Sequence, residues 1–286
     1  MNLFHNTLKI GAEKPFRFLH MSDTHFVLAD ERDDKRKIEL AEVRRNEFAE
    51  VREKGYYDAE QVASEVEKFA KENRLLIAHT GDFIDFVSEA NLDRLRKFTN
   101  ENDVFFAAGN HEFSLYVGEA FEDAEYRNKS LKKVQSCVKN NMRFDSRKIN
   151  GVNLIAIDNG YYLFEREQLD ALKRETRFGL PIVLFMHTPI YDKDLYRIMG
   201  EHHCLGEAAY MVATPEEFMK NYSEYRHRQQ KADEITLETV EYIKSQPLIK
   251  AIFCGHLHDF VSETKLTDGI TQYLSNFENV RLVEVE

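Results

Sequence analysis

The feature that most constrains this chain is a recurrence: short apolar runs that each end in Asp, His or Asn beside a turn. Phe16–Met21 leads into Ser22-Asp23-Thr24-His25, and Leu75–Ala78 leads into His79-Thr80-Gly81-Asp82. Val104–Ala108 is followed by Gly109-Asn110-His111-Glu112, and Ile182–Met186 by His187-Thr188-Pro189. Leu248–Cys254 ends in Gly255-His256-Leu257-His258. These runs, with Val152–Ile157, are rich in β-branched and aromatic residues and read as buried strands.

Helical patterns lie between them. Val62, Val66, Phe69 and Ala70 form a stripe ahead of the second strand. Ser88 is placed to cap a helix that buries Leu92, Leu95 and Phe98. Leu169 and Leu172 follow the Val152–Ile157 strand, and Ile235, Val240 and Ile243 precede Pro247. Thr214-Pro215-Glu216-Glu217 reads as a capping box with Pro at the first helical position. Phe260–Leu266, Ile270–Ser275 and Val280–Val285 look like consecutive antiparallel strands. Alternating strands and helices predict an α/β fold, finished here by a meander. We expect one domain over residues 1–286, with helical insertions at about 30–73 and 192–233. The first insertion is highly charged and broken near Gly55-Tyr56-Tyr57. Its apolar positions Ile38, Ala41, Phe48 and Val51 are too irregular for a coiled coil, so a solvated helix at the domain edge is expected.

Composition narrows the function. Fifty acidic against 39 basic residues give a net charge of −11, which disfavours a nucleic-acid scaffold. A small phosphorylated substrate stays compatible, because bound cations reverse the field locally. Three dispersed cysteines, Cys137, Cys204 and Cys254, lack paired spacing and suit a reducing compartment. With neither a leader-like N-terminus nor an apolar run of membrane-spanning length, the expected setting is soluble and cytoplasmic.

Open α/β sheets bind ligands at the carboxyl ends of their strands, so the five clusters should converge. Asp, His and Asn supply oxygen and imidazole donors and no thiolate, which suits Mn, Fe, Zn or Co rather than a structural zinc. Asp23, His25, Asp82, Asn110, His187, His256 and His258 are seven candidate ligands. Seven exceed what one catalytic ion with an open position needs, and fit two ions, divalent or of mixed valence, sharing a carboxylate. His20 and His79 read as core or supporting residues. His202-His203-Cys204 reads as a polar loop that could touch substrate if its insertion folds over the site. Asn159 either lines the pocket or serves the Asp158-Asn159-Gly160 turn.

The ordered set Asp23-Thr24-His25, Gly81-Asp82-Phe83-Ile84-Asp85, Gly109-Asn110-His111-Glu112, His187 and Gly255-His256-Leu257-His258 resembles the calcineurin-like metallophosphoesterases. The resemblance implies a four-layer α/β/β/α sandwich of two mixed sheets flanked by helices. It further implies one metal on Asp23, His25 and His258, another on Asn110, His187 and His256, and Asp82 bridging them. A metal-bridging hydroxide would attack phosphorus. His111 would face the leaving group or the developing charge, and Asp85 would orient His111. The departures matter too. Phe86-Val87 stand where the protein serine/threonine phosphatases continue with Arg-Gly, and Asp85 stands where purple acid phosphatases carry a metal-binding tyrosine. The expected activity is hydrolysis of a phosphomonoester or phosphodiester of a small molecule. The alternatives are a nuclease of the same fold or a non-catalytic, metal-binding scaffold.

Overall fold

The structure is a computed structural model that describes every residue except 51–57, 118–123, 203, 204, 206, 207, 259 and 260. The break at Gly55-Tyr56-Tyr57, His203, Cys204 and the start of the Phe260 strand therefore lie outside the described residues. In chain order the first half runs β1 (Asn2–Leu8), β2 (Phe16–Met21), α1 (Lys35–Glu50), α2 (Ala59–Asn73) and β3 (Leu76–His79). It continues through α3 (Glu89–Glu101), β4 (Val104–Phe106), α4 (Ala124–Gln135), β5 (Phe144–Ile149) and β6 (Val152–Ile157). The second half runs α5 (Arg166–Thr176), β7 (Ile182–Phe185), α6 (Lys193–Glu201), α7 (Glu224–Gln230) and α8 (Glu234–Ser245). It closes with β8 (Ile249–Cys254), β9 (Ser262–Thr267), β10 (Ile270–Leu274) and β11 (Asn279–Val285).

Two mixed sheets result, ordered β1-β11-β2-β3-β4 and β5-β6-β7-β8-β10-β9. Their inner faces meet through Phe18, Ala78, Phe105 and Val283 on one side and Leu154, Val183, Phe185 and Phe253 on the other. Phe18 sits edge-on to Phe185 and Phe253, with ring centroids 5.5 and 5.4 Å apart. On the outer face of the first sheet, Val66 of α2, Leu95 and Phe98 of α3 and Val134 of α4 cover Leu19, Ile77 and Phe106. On the outer face of the second, Leu172 of α5, Leu195 of α6 and Ile243 of α8 cover Ile155, Leu184 and Ile252. The layers are thus α/β/β/α. Each large aliphatic or aromatic side chain buried this way contributes roughly 1.5–3 kcal/mol of transfer free energy.

Local sequence accounts for the helix starts. Asp58 caps α2 by accepting from Gln61 N, and Ser88 caps α3 by accepting from Asn91 N, as the sequence predicts for Ser88. Thr214 does not cap a helix. Its hydroxyl donates back to the Met211 carbonyl at 3.1 Å, and only a single 3-10 turn, Glu216–Phe218, follows Pro215.

The expected C-terminal meander also requires correction. β9 and β10 pair antiparallel, but β10 joins β8 in parallel. β11 crosses to the first sheet, antiparallel to β2 and parallel to β1. Its run Val280–Val283 is buried throughout, which a central strand with both faces covered satisfies and a meander edge does not. β1 and β5 are edge strands with largely polar sequences, so neither gives an apolar run. In the first insertion, Ala41 and Phe48 bury α1 against Val27 and Phe86. Among the described residues no helix is long and apolar enough to cross a membrane.

Candidate metal centre

β2, β3 and β4 run parallel in one sheet, and β6, β7 and β8 run parallel in the other. Their carboxyl ends meet where the two sheets face each other. The backbone there is bent hard. Asp23, His25, Asp82 and His256 all have positive φ, between 48° and 73°. For non-glycine residues such angles persist only where surrounding contacts impose them, and they gather at functional sites. Gly255 is required by close approach, since a Cβ there would lie 2.2 Å from the Asp23 carboxylate. Gly109 is required likewise, with a Cβ falling 2.2 Å from Asp82 Oδ1.

Backbone donors fix the carboxylates. His256 N donates to both oxygens of Asp23, at 3.0 and 2.9 Å. His111 N donates to Asp82 Oδ1 at 2.9 Å. Among the described residues, Asp82 Oδ2 and Asn110 Oδ1 are buried without a well-formed hydrogen bond. Buried polar atoms left without partners are costly, and an oxygen such as Asp82 Oδ2, with His187 and His25 Nε2 at 3.1 and 3.6 Å, is what a cation ligand looks like. Glu112, the last residue of its motif, accepts from Asp82 N, Phe83 N and Gly109 N at 2.7–2.8 Å, and so ties two of the strand ends together.

The histidines are aimed by their outer nitrogens. His187 Nδ1 donates to the Thr80 carbonyl at 2.7 Å, which turns Nε2 toward Asp82 Oδ2 at 3.1 Å. His25 Nδ1 donates to Asp85 Oδ1 at 3.0 Å, which turns Nε2 toward His258 Nε2 at 2.9 Å and Asp82 Oδ2 at 3.6 Å. His256 Nδ1 faces His187 Nε2 at 3.0 Å. Facing imidazole nitrogens at this separation match two ligands roughly 2.1 Å from one shared ion. The donor atoms fall into two groups. Asp23, His25, Asp82 and His258 form one; Asp82, His187 and His256 form the other, and Asp82 belongs to both.

The electrostatics call for positive charge. Burial opposes ionisation of Asp23, yet His25, His187 and His258 hold it near 2. Asp82 and Asp85 also lie well below the usual carboxylate range despite burial, Asp82 chiefly through His187 and His111, Asp85 chiefly through Arg44. In answer, Asp23 and Asp85 raise His25 to about 10, and Asp82 raises His187 to about 9, both against the effect of burial. His258 is lowered to about 4 by burial and by His25. At His25 and His187 the protons taken up as counter-charge would give way to bound cations. The residues present fit a pair of metal ions.

His111 lies outside both ligand groups but joins a third cluster with His25 and Asp85. Its Nδ1 donates to the Asp85 carbonyl at 2.7 Å and lies 3.2 Å from Asp85 Oδ1. The carboxylate of Asp85 is thus nearer to His25 than to His111, so it serves both rings rather than His111 alone. His79 accepts from Gly81 N at Nδ1 and is bonded to Thr24 at Nε2, and burial drives its pKa down to about 3. His20 bonds Thr80. Both are core supports, as expected. Asn159 serves the strand end: its side chain accepts from His187 N and Thr188 N and donates to the Thr188 carbonyl. His202 closes α6 on the exposed surface.

Three contributors escape sequence reasoning. Arg44 of α1 grips Asp85 through Nε–Oδ2 at 2.7 Å and Nη2–Oδ1 at 2.9 Å. Tyr162, just past the β6 end, places its hydroxyl 2.7 Å from His256 Nε2. Its position after Asp158-Asn159-Gly160, at a strand's carboxyl end, was the available signal. Tyr210, from the second insertion, brings its ring centroid within 6.2 Å of His256, and no local pattern marks it.

The profile of the calcineurin-like phosphoesterases matches residues 16–260. The chain belongs to that family. No curated protein matches it in sequence. Among solved structures, a dimetal phosphatase from Danio rerio superposes with a TM-score of 0.51 at 12% identity, covering 92% of this chain and 88% of its own. The phosphopantetheinyl hydrolase of Mycobacterium tuberculosis gives a TM-score of 0.41 at 12% identity, covering 91% and 89%. The first likeness carries the fold of this calcineurin-like phosphoesterase: two mixed sheets between helical layers.

Proposed function

We propose that this family member is a binuclear metal-dependent hydrolase of small phosphate esters. The observation that carries the reading is the shared Asp82, whose unpartnered Oδ2 lies between two histidine-containing donor groups. Asp23, His25 and His258 would hold one ion, Asn110, His187 and His256 the other, with Asp82 common to both. Mn, Fe, Zn and Co all suit mixed nitrogen and oxygen donors. When bound, paired cations neutralise the oxygens of a phosphoryl group and activate water for in-line displacement.

This chain's own residues supply the rest. His25 and His187 donate from Nδ1 to Asp85 and to the Thr80 carbonyl, so each Nε2 is committed to the centre. His111, anchored by Nδ1 on Asp85, is the group that hands a proton, or the polarisation of one, to the departing oxygen. Both insertions border this centre, through Arg44 and Tyr210, which supports reading residues 1–286 as one metallophosphoesterase domain. The acidic charge and the cysteine pattern favour a small phosphorylated substrate in a cytoplasmic setting.

The test is hydrolysis of bis-p-nitrophenyl phosphate and of p-nitrophenyl phosphate with added Mn²⁺, against an EDTA control. Turnover of either ester that EDTA abolishes supports the reading, and the preferred ester assigns the diester or monoester class. No turnover of either by protein holding two metals counts against it and favours the scaffold.

A further inference from the structure

We infer that Arg44, delivered by the first insertion, is a positioning residue for His111. The inference rests on the hydrolase reading above. Asp85 is fully buried, and its Oδ1 is the meeting point of Arg44 Nη2 at 2.9 Å, His25 Nδ1 at 3.0 Å and His111 Nδ1 at 3.2 Å. Its Oδ2 is held by Arg44 Nε at 2.7 Å. A forked guanidinium fixes both the plane and the rotation of a carboxylate, which a single point charge does not. With that plane fixed, Oδ1 has one place to be, and the rings leaning on it inherit the restraint.

Docking of α1 alone does not account for this arrangement. The helix is already seated by Ala41 and Phe48 on Val27 and Phe86. Phe86 follows Asp85 directly and is fully buried in that contact, so this position supplies packing to α1 and no cation to the carboxylate. The cation comes instead from 41 residues upstream, on a helix that Phe86 itself anchors. Glu47 accepts from Arg44 Nη1 at 2.6 Å and holds the far edge of the guanidinium. The insertion therefore completes the chain Glu47, Arg44, Asp85, His111.

A proton-delivering His111 matters most when the leaving group is a poor one. The experiment compares two aryl esters of the class that the wild type hydrolyses, one releasing p-nitrophenol and one releasing phenol, at saturating Mn²⁺. Arg44→Met is expected to lower kcat on the phenyl ester by at least ~10-fold, short of the 10²–10⁴ lost with a whole general acid, and to leave the nitrophenyl ester within ~3-fold. KM should move little on either ester. Arg44→Lys should fall between, and the double variant with His111→Ala should be no slower than His111→Ala alone. Arg45→Met, an exposed neighbour, should match the wild type. Should Arg44→Met fail to fold, Arg44→Lys carries the test through the same split between esters. Equal losses on both esters, a change in KM alone, or losses additive with His111→Ala would overturn the inference while the hydrolase reading stands. A wild type that hydrolyses neither ester defeats that reading, and this inference with it.

Discussion

The Glu112 carboxylate accepts the backbone N–H of Asp82 at 2.8 Å, and through Phe83 N and Gly109 N it joins the ends of β3 and β4. A motif residue that touches no candidate ion directly thus sets where the shared ligand stands. Glu112→Gln offers an amide with one oxygen and two N–H groups to three backbone donors, so buried donors are left unpaired. The expected cost is about 1–3 kcal/mol of stability, together with weaker metal retention. Urea unfolding with and without Mn²⁺ checks both; an unchanged midpoint would refute the tie.

Asn110, whose Oδ1 is buried without a partner among the described residues, is proposed above to serve one half of the centre alone. Asn110→Ala should therefore release one ion and retain the other, whereas Asp82→Ala should empty both halves. Metal content by plasma mass spectrometry after gel filtration reads the difference directly. Equal loss in the two variants would contradict the assignment of halves.

Tyr162 supports His256 from outside the ligand groups. Outer partners of metal-binding histidines typically govern 10–100-fold of affinity. Tyr162→Phe keeps the buried ring and removes the hydroxyl, so Mn²⁺ affinity should fall by about that factor while thermal stability changes by only ~1 kcal/mol. Competition with a fluorescent chelator measures it. An affinity within twofold of the wild type would rule the contact out as a tuning element.

One contribution to acid stability comes from a cluster away from the centre. Burial disfavours the charge of Glu165, but Arg143 and Arg127 hold its pKa below the ordinary 4.5. A carboxylate depressed in the folded state stabilises the protein above its unfolded pKa, and that contribution vanishes as pH falls through the folded value. Because Glu165 is 44% exposed, solvent screening limits it to about 1 kcal/mol or less. Wild type and Glu165→Gln should differ in urea midpoint at pH 7 and converge below pH 4. A gap that persists in acid would assign the effect to packing instead.

Much of the centre was legible because its residues stand at the ends of apolar strands, where local sequence fixes both position and direction. Asp23, His25, Asp82, His187 and His256 are tied to backbone turns, and turns are local. Arg44 was not legible: among the charges of α1 nothing separates it from Arg45, and only the burial of Phe48 and Phe86 selects the face that meets Asp85. Tyr210 is hidden for the same reason, since its approach to His256 depends on how the second insertion packs. In the fold, the polar edges β1 and β5 carry no period to detect. β11 shows how an apolar strand is compatible with two sheets, the choice being made by which faces need covering.

The most direct test of the central claim is anomalous diffraction from crystals grown with excess Mn²⁺. Two peaks about 3.5–4 Å apart are expected, flanking the Asp82 carboxylate, one beside His25 and His258 and the other beside Asn110, His187 and His256. A single peak at that position, or none at full saturation, would contradict a binuclear centre in this chain.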